Sequence, residues 1–310
     1  MNFKDVEKAR EEYRKKYQKT FIISTVIAMA VTSIPGVIMQ IHLAKGIVGL
    51  LSIFFFILFS LVLGIIISTI VSRNQAKAYQ KAYKAYFVEK ILKETFTDLE
   101  YSHDKGVSRE YIRATEMINT GDSYSSNDLT IAHYKNVKFL QSDAHIQVRE
   151  TDSDGDTHYV TIFRGRFMVF EFPKKFNFKL ELIGNRFSAA SIPGKDSKTG
   201  RKMTKKSTES GEFNGAFRIY GQDDFESFYI LDPAFMVKIM NIAGRYNNRL
   251  LLGFYDNKLL VALNDGKDSF EPPKFTKPID EKAEFAKIQA DIQVVMDFVD
   301  QLSLDHKLFQ

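Results

Sequence analysis

The sequence predicts an α+β protein in which a two-helix transmembrane hairpin precedes a cytoplasmic antiparallel-sheet domain with a C-terminal helix. Two long apolar runs near the N-terminus predict the hairpin, and later short β-branched and aromatic segments separated by turn residues predict the sheet. The predicted organisation is a cytoplasmic basic helix over 1–20, the hairpin over 21–71, a juxtamembrane helix over 72–96 and the cytoplasmic domain over 97–310.

The two apolar runs are each long enough to cross a membrane. Residues 21–43 carry no formal charge apart from His42, residues 47–71 carry none, and about 20 apolar residues span the hydrocarbon core. Only Ala44, Lys45 and Gly46 separate them, so the helices must be antiparallel. Lys and Arg are concentrated outside the runs, seven in 1–20 and six in 72–96, against Lys45 between them. The positive-inside rule therefore predicts a multi-pass protein of the inner membrane with both termini cytoplasmic.

Small residues recur at every fourth position in both runs, a spacing that lets helix backbones approach closely in a membrane. We expect them to form the contact within the hairpin, with homo-oligomerisation as the alternative. The predicted packing residues are Ser24, Ala28, Thr32, Gly36, Ser60, Gly64 and Ser68.

Charge and composition exclude several classes of protein. The net charge is +5, but residues 97–310 hold 29 basic and 32 acidic side chains, so the basicity belongs to the membrane flanks. A nucleic-acid partner is therefore not expected, because such proteins carry positive charge on the folded domain. The absence of cysteine excludes disulfides, thiolate metal sites and a cysteine nucleophile.

The juxtamembrane segment has the pattern of an amphipathic helix. Tyr79, Tyr83 and Tyr86 recur with Phe87 and Ile91 at helical spacing opposite lysines. We expect this stripe to pack on its own protein, and a partner helix or the headgroups are the alternatives.

The remaining elements follow from local patterns. Extended segments are predicted at 128–132, 137–140, 145–149, 159–163, 167–172, 178–183, 213–219 and 225–231. Helices are predicted at 108–119, from the Asp232-Pro233 cap to about residue 243, and at 281–302, with a hairpin of 250–254 and 258–263 around Tyr255-Asp256-Asn257. The sheet is expected to be curved or barrel-like, and a pleckstrin-homology-like arrangement is one such form.

A flexible, basic loop is predicted between Pro193 and Gly211. Its positive side chains are candidates for contact with anionic lipid or a partner, and a solvated loop is the other interpretation. They are Lys195, Lys198, Arg201, Lys202, Lys205 and Lys206.

No motif in the sequence specifies a reaction. The acidic run 152–156 lacks the glycine and carboxylate positions of a calcium loop and is interpreted as a polar hairpin turn. Phosphate-binding glycine motifs, Gly-x-Ser-x-Gly and His-Glu-x-x-His are also absent. We predict no catalytic residue, no metal and no cofactor.

Four short motifs in order resemble a known family. They are Phe163-Arg164-Gly165-Arg166-Phe167, the run from Phe172 to Phe176, the run from Phe228 to Met236, and Phe270-Glu271-Pro272. With the basic N-terminus and the paired apolar runs, they resemble the bacterial domain-of-unknown-function family numbered 3137. The resemblance implies a membrane-anchored architecture and brings no activity.

The sequence therefore favours a membrane-tethered binding or scaffold module without turnover, which recognises another protein or the inner membrane surface. Tethering favours such a role because it raises the local concentration of the module. Two other classes stay open: an enzyme acting on a lipid or envelope precursor, and an accessory subunit of a membrane complex. Buried ionisable groups converging in a concave site would favour the enzyme.

Overall fold

The computed structural model describes residues 2–42, 47–302 and 304. Helices at the N-terminal end precede a mixed region of strands and short helices, and a long helix ends the described chain. The elements are α1 Phe3–His42, α2 Ile47–Val71, α3 Arg73–Tyr83, a π-helical turn Lys84–Val88, α4 Glu89–Thr95, β1 Thr97–Ser102, α5 Arg109–Thr115, β2 Ser123–Tyr134, β3 Val137–Thr151, β4 Thr157–Gly184, β5 Thr204–Lys206, α6 Gly211–Ala216, β6 Phe217–Gly221, α7 Asp224–Ile230, α8 Pro233–Arg245, β7 Leu250–Leu263 and α9 Glu281–Leu302.

The chain divides into two compact units. One comprises Met1–Val88 with Glu271–Glu284, and the other comprises Glu89–Phe270 with Phe285–Gln310. The first is helical. The second contains the sheet, so the predicted α+β class is confirmed.

In the first unit, α1, α3 and the segment 271–284 pack together. Tyr79 donates to the carbonyl of Pro273 at 3.1 Å, and Tyr83 donates to Glu284 at 2.5 Å. Arg10 of α1 donates to the carbonyl of Phe275 at 2.8 Å. The prediction that the tyrosine stripe packs on its own protein is therefore confirmed.

One segment of the described chain is long and apolar enough to cross a membrane, Phe54–Val71 in α2. The other predicted span, 21–43, reaches into residues 33–43, where the structure does not describe the side chains, and the turn 44–46 lies outside the described residues. The structure thus supports one candidate membrane helix and not the multi-pass hairpin.

The sheet of the second unit is antiparallel and has seven strands among the described residues, in the order β1-β2-β3-β4-β6-β5, with β7 also paired to β4. β4 organises it, because β3 and β7 flank its first part and β6 and β7 flank its last part. In the described part of the chain β1, β5 and β7 are each paired on one side only, so the sheet is open. The predicted barrel-like form is wrong, whereas the curved form and the pleckstrin-homology-like arrangement stay predictions.

The strands are longer than predicted. Two predicted segments merge in β3, and three merge in β4, which runs through Gly165 and Pro173. The predicted hairpin at 255–257 is wrong, because β7 continues through Asp256, whose φ of 49° lies at an irregularity in the pairing with β4. Pairing along both halves of β4 keeps β7 continuous.

Two segments predicted as extended contain helices because polar caps precede them. The Ser210 hydroxyl accepts from Phe213 N at 3.2 Å and starts α6, and the Asp223 carboxylate accepts from Glu226 N at 2.9 Å and starts α7. A side-chain cap satisfies one of the free N–H groups at a helix start, and here it outweighs the β propensity of the aromatic residues.

The C-terminal helix α9 has the predicted bounds and buries one face within the second unit. Phe298 stacks on Tyr246 with a centroid distance of 6.1 Å, and Asp297 accepts from Arg245 at 3.1 Å. The predicted cap Asp232 accepts from Phe235 N at 2.9 Å. Ser108, the first residue of the helix predicted over 108–119, caps α5 by accepting from Tyr111 N at 3.1 Å, and this helix ends earlier than predicted, at Thr115.

Candidate functional site

The helix pair α1–α2 exposes large apolar side chains over the part whose side chains are described. Their exposed fractions run from 37% at Met29 to 67% at Ile70. Such a continuous apolar surface is unfavourable in water and typical of a membrane or protein interface. The α1 residues are Ile22, Ile23, Val26, Ile27, Met29 and Val31, and those of α2 include Phe54, Phe55, Leu58, Phe59, Val62, Ile65, Ile66 and Ile70.

The small residues of the two helices face each other instead. Ser24 donates to the carbonyl of Gly64 at 3.4 Å, and the hydroxyls of Thr32 and Ser60 lie 3.3 Å apart. Ala28 and Ser68 are also buried. Of the predicted packing residues, Gly36 lies in α1 beyond the described side chains.

Ion pairs use part of the positive charge on α1. Arg10 is buried and binds Glu7 and Glu11 at 2.8 and 2.5 Å, and Arg14 binds Glu11 at 2.8 Å. The Glu7 carboxylate also accepts from Ile279 N at 2.7 Å. These arginines therefore serve the fold of the first unit.

The predicted basic loop contains hydrogen-bonded structure at both ends. Asp196 accepts from the main-chain N–H groups of Lys198 and Thr199 at 2.8 and 3.1 Å, and residues 204–206 pair with β6 as β5. The loop was predicted from its amino-acid composition, which shows neither the hydrogen-bonded turn at Asp196 nor the pairing of β5 with β6.

Three of the six predicted basic side chains have partners. Lys198 lies 3.6 Å from Asp256, Arg201 donates to the carbonyl of Asn177 at 3.2 Å, and Lys206 pairs with Asp224 of α7. Lys195, Lys202 and Lys205 are exposed, and in the described part of the chain they have no ion pair. These three lysines are therefore presented to solvent without an ion pair to the described residues.

α7 presents an apolar face beside β5. Phe225, Phe228 and Tyr229, at helical spacing, are 82%, 43% and 54% exposed, whereas Ser227 and Ile230 are buried on the opposite face. The Lys206–Asp224 ion pair joins the strand to the first turn of this helix. Sequence reasoning missed this face because it assigned the segment to a strand, although the Asp223-x-x-Glu226 spacing is that of a capping box.

A cavity of about 230 Å³ lies between the end of α5, β4, the turn at Asp196 and β7. Lys179 is buried in its wall and lies 3.4 Å from Glu116, while Gln222 donates to Asp196 at 2.9 Å. Asp196 is itself engaged by main-chain donors. The polar groups of this cavity therefore bond mainly with one another.

A buried arginine organises the centre of the second unit. Arg166 on β4 donates to the carbonyl of Asp291 in α9 at 2.5 Å and to the hydroxyl of Ser269, and the Asp143 carboxylate lies 3.9 Å away. Burial raises the pKa of Asp143 to about 7 against the opposing effect of Arg166. Asp143 also accepts from Ser269 N at 2.6 Å. This network joins β3, β4, the segment after β7 and α9.

The motifs of the predicted resemblance have structural roles. A Cβ on Gly165 would overlap the carbonyl oxygen of Leu263, so glycine at this position allows β7 to end close to β4, which continues through Gly165. Asp232 caps α8. In the first unit, Glu271 binds the buried Lys84 at 3.0 Å.

The fold defines an α+β protein with an open antiparallel sheet and one candidate membrane helix. A family model described as "Protein of unknown function (DUF3137)" matches residues 161–304. The predicted resemblance is thus confirmed over this segment, which includes all four motifs. No curated protein matches the chain.

One solved structure with some likeness is the crystal structure of the mycobacterial trehalose monomycolate transport factor A, TtfA. The two chains are 9% identical, and the alignment covers 74% of this chain and 96% of that one with a TM-score of 0.38. A score of this size does not establish a common fold, so the likeness carries no argument about function.

Proposed function

We propose that this protein is a membrane-tethered binding module without turnover, in which α1 and α2 both cross the membrane and both termini are cytoplasmic. The observation that carries this proposal is the division of residues on the helix pair, with exposed apolar side chains outside and hydroxyl groups between the helices. A helix pair in water is expected to bury its apolar side chains. In lipid the exposed apolar side chains are solvated, and the hydroxyls of Ser24, Thr32 and Ser60 bond between the helices.

The charges that flank the helices support the cytoplasmic placement of both ends. Lys15, Lys16 and Lys19 precede the apolar part of α1, and Arg73, Lys77 and Lys81 follow α2. Basic residues within about 15–20 positions of a span favour the cytoplasmic side. The second unit then lies in the cytoplasm and meets its partners at the membrane.

The second unit has the features of a binding domain more than those of an enzyme. Two of its buried charged groups, Arg166 and Asp143, join elements of the fold. In the cavity beside β4, Lys179 and Asp196 bond to neighbouring protein groups rather than forming a pair of nucleophile and base. A partner protein or the inner membrane surface is the proposed target.

An enzyme acting on a lipid or envelope precursor is the second candidate, and the same cavity favours it. Lys179, Glu116 and Asp196 converge there on a concave surface, as a catalytic site requires. If the enzyme candidate is right, Lys179→Met abolishes a turnover detected in a lipid and metabolite screen of the wild-type chain.

Isolation of the full chain from its native membrane in mild detergent tests the proposal. We expect a specific partner or specific lipids to be retained by the wild type and lost from Phe225→Ser/Phe228→Ser, with Tyr159→Ser as the matched control on an exposed aromatic residue of β4. If no specific molecule is retained and a turnover that depends on Lys179 is found, the binding-module proposal is wrong and the enzyme candidate is favoured.

A further inference from the structure

The basic residues next to the apolar parts of α1 and α2 form an exposed cluster within the first unit, here called the basic collar. On α3 its members recur at every fourth position, so they lie along one face of that helix. All six side chains are exposed. The collar consists of Lys15, Lys16 and Lys19 of α1 and Arg73, Lys77 and Lys81 of α3.

No acidic residue nearby in the sequence balances the charge of the collar. Residues 1–14 hold four basic and four acidic side chains, so their charges cancel. By contrast, residues 15–20 and residues 72–81 each hold three basic side chains and no acidic one. The positive charge of this unit is therefore concentrated beside the apolar surface of α1 and α2.

The collar side chains also have no partner within the protein. Arg14, one residue before the collar on α1, binds Glu11 at 2.8 Å, and Lys84, just after it, binds Glu271 at 3.0 Å. In the part of the chain that the structure describes, none of the six collar residues has an ion pair or a side-chain hydrogen bond. Their charges are thus available to a ligand from outside.

A double crossing by α1 and α2 places the collar at the depth of the lipid headgroups. With a rise of about 1.5 Å per residue, Arg73 and Lys77 lie about 3 and 9 Å beyond Val71, where the candidate span ends. Lys19 lies about 5 Å before Ile22, where the exposed apolar surface of α1 begins. The headgroup region is about 5–8 Å thick on each side, and long basic side chains extend along apolar surface to reach it.

We infer that the basic collar binds the phosphate groups of anionic phospholipids and concentrates these lipids around the anchor. The inference deepens the proposed function and rests on it, since the anchor holds the collar at the membrane. It names the anionic lipid headgroup as a ligand of the first unit.

Charge and position together favour a lipid over an acidic protein partner. The collar continues directly into the exposed apolar surface of α1 and α2, so its ligand must meet cations at one end and apolar side chains at the other. An anionic phospholipid has this form. Lysine is depleted in protein–protein interfaces, whereas clusters of roughly four to eight Lys and Arg beside a membrane span attract anionic lipid.

The absence of tryptophan from the sequence allows the local lipid composition to be measured. Val71→Trp places a single reporter at the end of the span beside the collar, and Phe54→Trp places one at its start, away from the collar. The two positions are 45% and 66% exposed. Each full chain is reconstituted into phosphatidylcholine vesicles that contain either brominated phosphatidylglycerol or the same fraction of brominated phosphatidylcholine.

At Val71→Trp we expect brominated phosphatidylglycerol to quench as though it were about fivefold enriched, the factor that corresponds to the attraction at one contacting Lys or Arg. Phe54→Trp should show no preference between the two lipids. Raising NaCl to about 1 M shortens the Debye length to about 3 Å, so the enrichment at Val71→Trp should fall. This salt test needs no change in the collar itself.

Neutralising the collar provides the second test. Adding Lys19→Gln, Arg73→Gln and Lys77→Gln to the Val71→Trp chain should remove most of the enrichment. The matched control removes the same charge at exposed positions of the second unit and should keep the enrichment; it combines Lys105→Gln, Lys175→Gln and Arg218→Gln. Equal quenching by the two lipids at Val71→Trp overturns the inference, and so does an enrichment that survives neutralisation of the collar.

The same samples separate this inference from the anchor. A chain that does not float with the vesicles, or a Val71→Trp chain that neither brominated lipid quenches, contradicts the proposed anchor and the collar with it. Quenching of Val71→Trp by both lipids to the same extent contradicts only the binding of anionic lipid by the collar.

Discussion

At the scale of single residues, Arg166 and Arg164 belong to one motif but lie in different environments, one buried and one exposed. Both belong to the run Phe163–Phe167. Arg166 is buried and contacts Asp143, Asp291 and Ser269, whereas Arg164 is exposed and lies 3.7 Å from Asp268. Removing one member of a buried ion pair leaves an uncompensated charge, whereas an exposed pair contributes little.

Arg166→Met is therefore expected to lower the free energy of unfolding by about 3–5 kcal/mol, a typical cost of breaking a buried pair. Arg164→Met is the matched control and should cost less than about 1 kcal/mol. Thermal and denaturant unfolding of the full chain in detergent measures both. Equal effects of the two variants would show that Arg166 does not organise the second unit.

Glu181 is a buried carboxyl on β4, and one of its oxygens has no hydrogen-bond partner among the described residues. The pKa of Glu181 is raised to about 7, because burial and the charges of Glu116 and Asp196 together outweigh the lowering effect of Lys179. Between about pH 4.5 and 7 the unfolded carboxyl loses its proton while the folded one keeps it. The contribution of Glu181 to stability therefore falls as the pH rises through this window.

Glu181→Gln should remove that dependence because the amide stays neutral. Relative to the wild type, we expect little change near pH 4.5 and a gain on the order of 2–3 kcal/mol at pH 8, from about 1.4 kcal/mol per pKa unit. Unfolding midpoints at the two pH values measure the gain. Glu209→Gln, at an exposed position, is the control, and a gain from Glu181→Gln that is independent of pH would refute the raised pKa.

At the scale of elements, the contact between α1 and α2 depends on small residues. A Cβ added to Gly64 would overlap the hydroxyl of Thr25 and lie 3.4 Å from the ring of Phe21. Val62 provides a control on another face of α2, because its side chain is exposed rather than packed between the helices.

Gly64→Val should separate the helices and lower stability by about 1–3 kcal/mol, the usual cost of overpacking. Val62→Leu should have a negligible effect, because its side chain points away from the other helix. Thermal unfolding in mild detergent compares them. If the Gly64→Val variant is as stable as Val62→Leu, Gly64 does not belong to the packing contact between the helices.

Local sequence signals predicted the type and position of some elements correctly, whereas the extent of other elements depends on contacts between residues far apart in the sequence. The caps Ser108 and Asp232 and the amphipathic run of α9 were sufficient to predict three helices. The continuity of β4 and β7 depends on pairing between strands about 90 residues apart, so local breaks at Gly165 and Asp256 gave false turns.

The same distinction applies to the candidate sites. The basic residues were visible in the sequence, but the exposed aromatic face of α7 depends on the helical state of this segment. Arg166 could be noticed only as part of a motif. Its burial depends on Asp143 and Asp291, which lie in different elements of the chain.

At the scale of the whole molecule, the proposed function requires a membrane anchor that crosses the bilayer twice. A double crossing places the residues before the apolar part of α1 and those after α2 on one side, and the connection between the helices on the other. A single crossing by α2 would instead separate the residues before the apolar part of α1 from those after α2. Because the chain has no cysteine, single introduced cysteines distinguish these arrangements.

The most direct test is labelling of Lys15→Cys, Lys45→Cys and Lys81→Cys with a membrane-impermeant maleimide in right-side-out membrane vesicles. We expect Lys45→Cys to be labelled in intact vesicles, and Lys15→Cys and Lys81→Cys to be labelled only after permeabilisation. Labelling of Lys15→Cys and Lys81→Cys on opposite sides, or release of the chain from the membrane by alkaline carbonate, would contradict the double-spanning anchor.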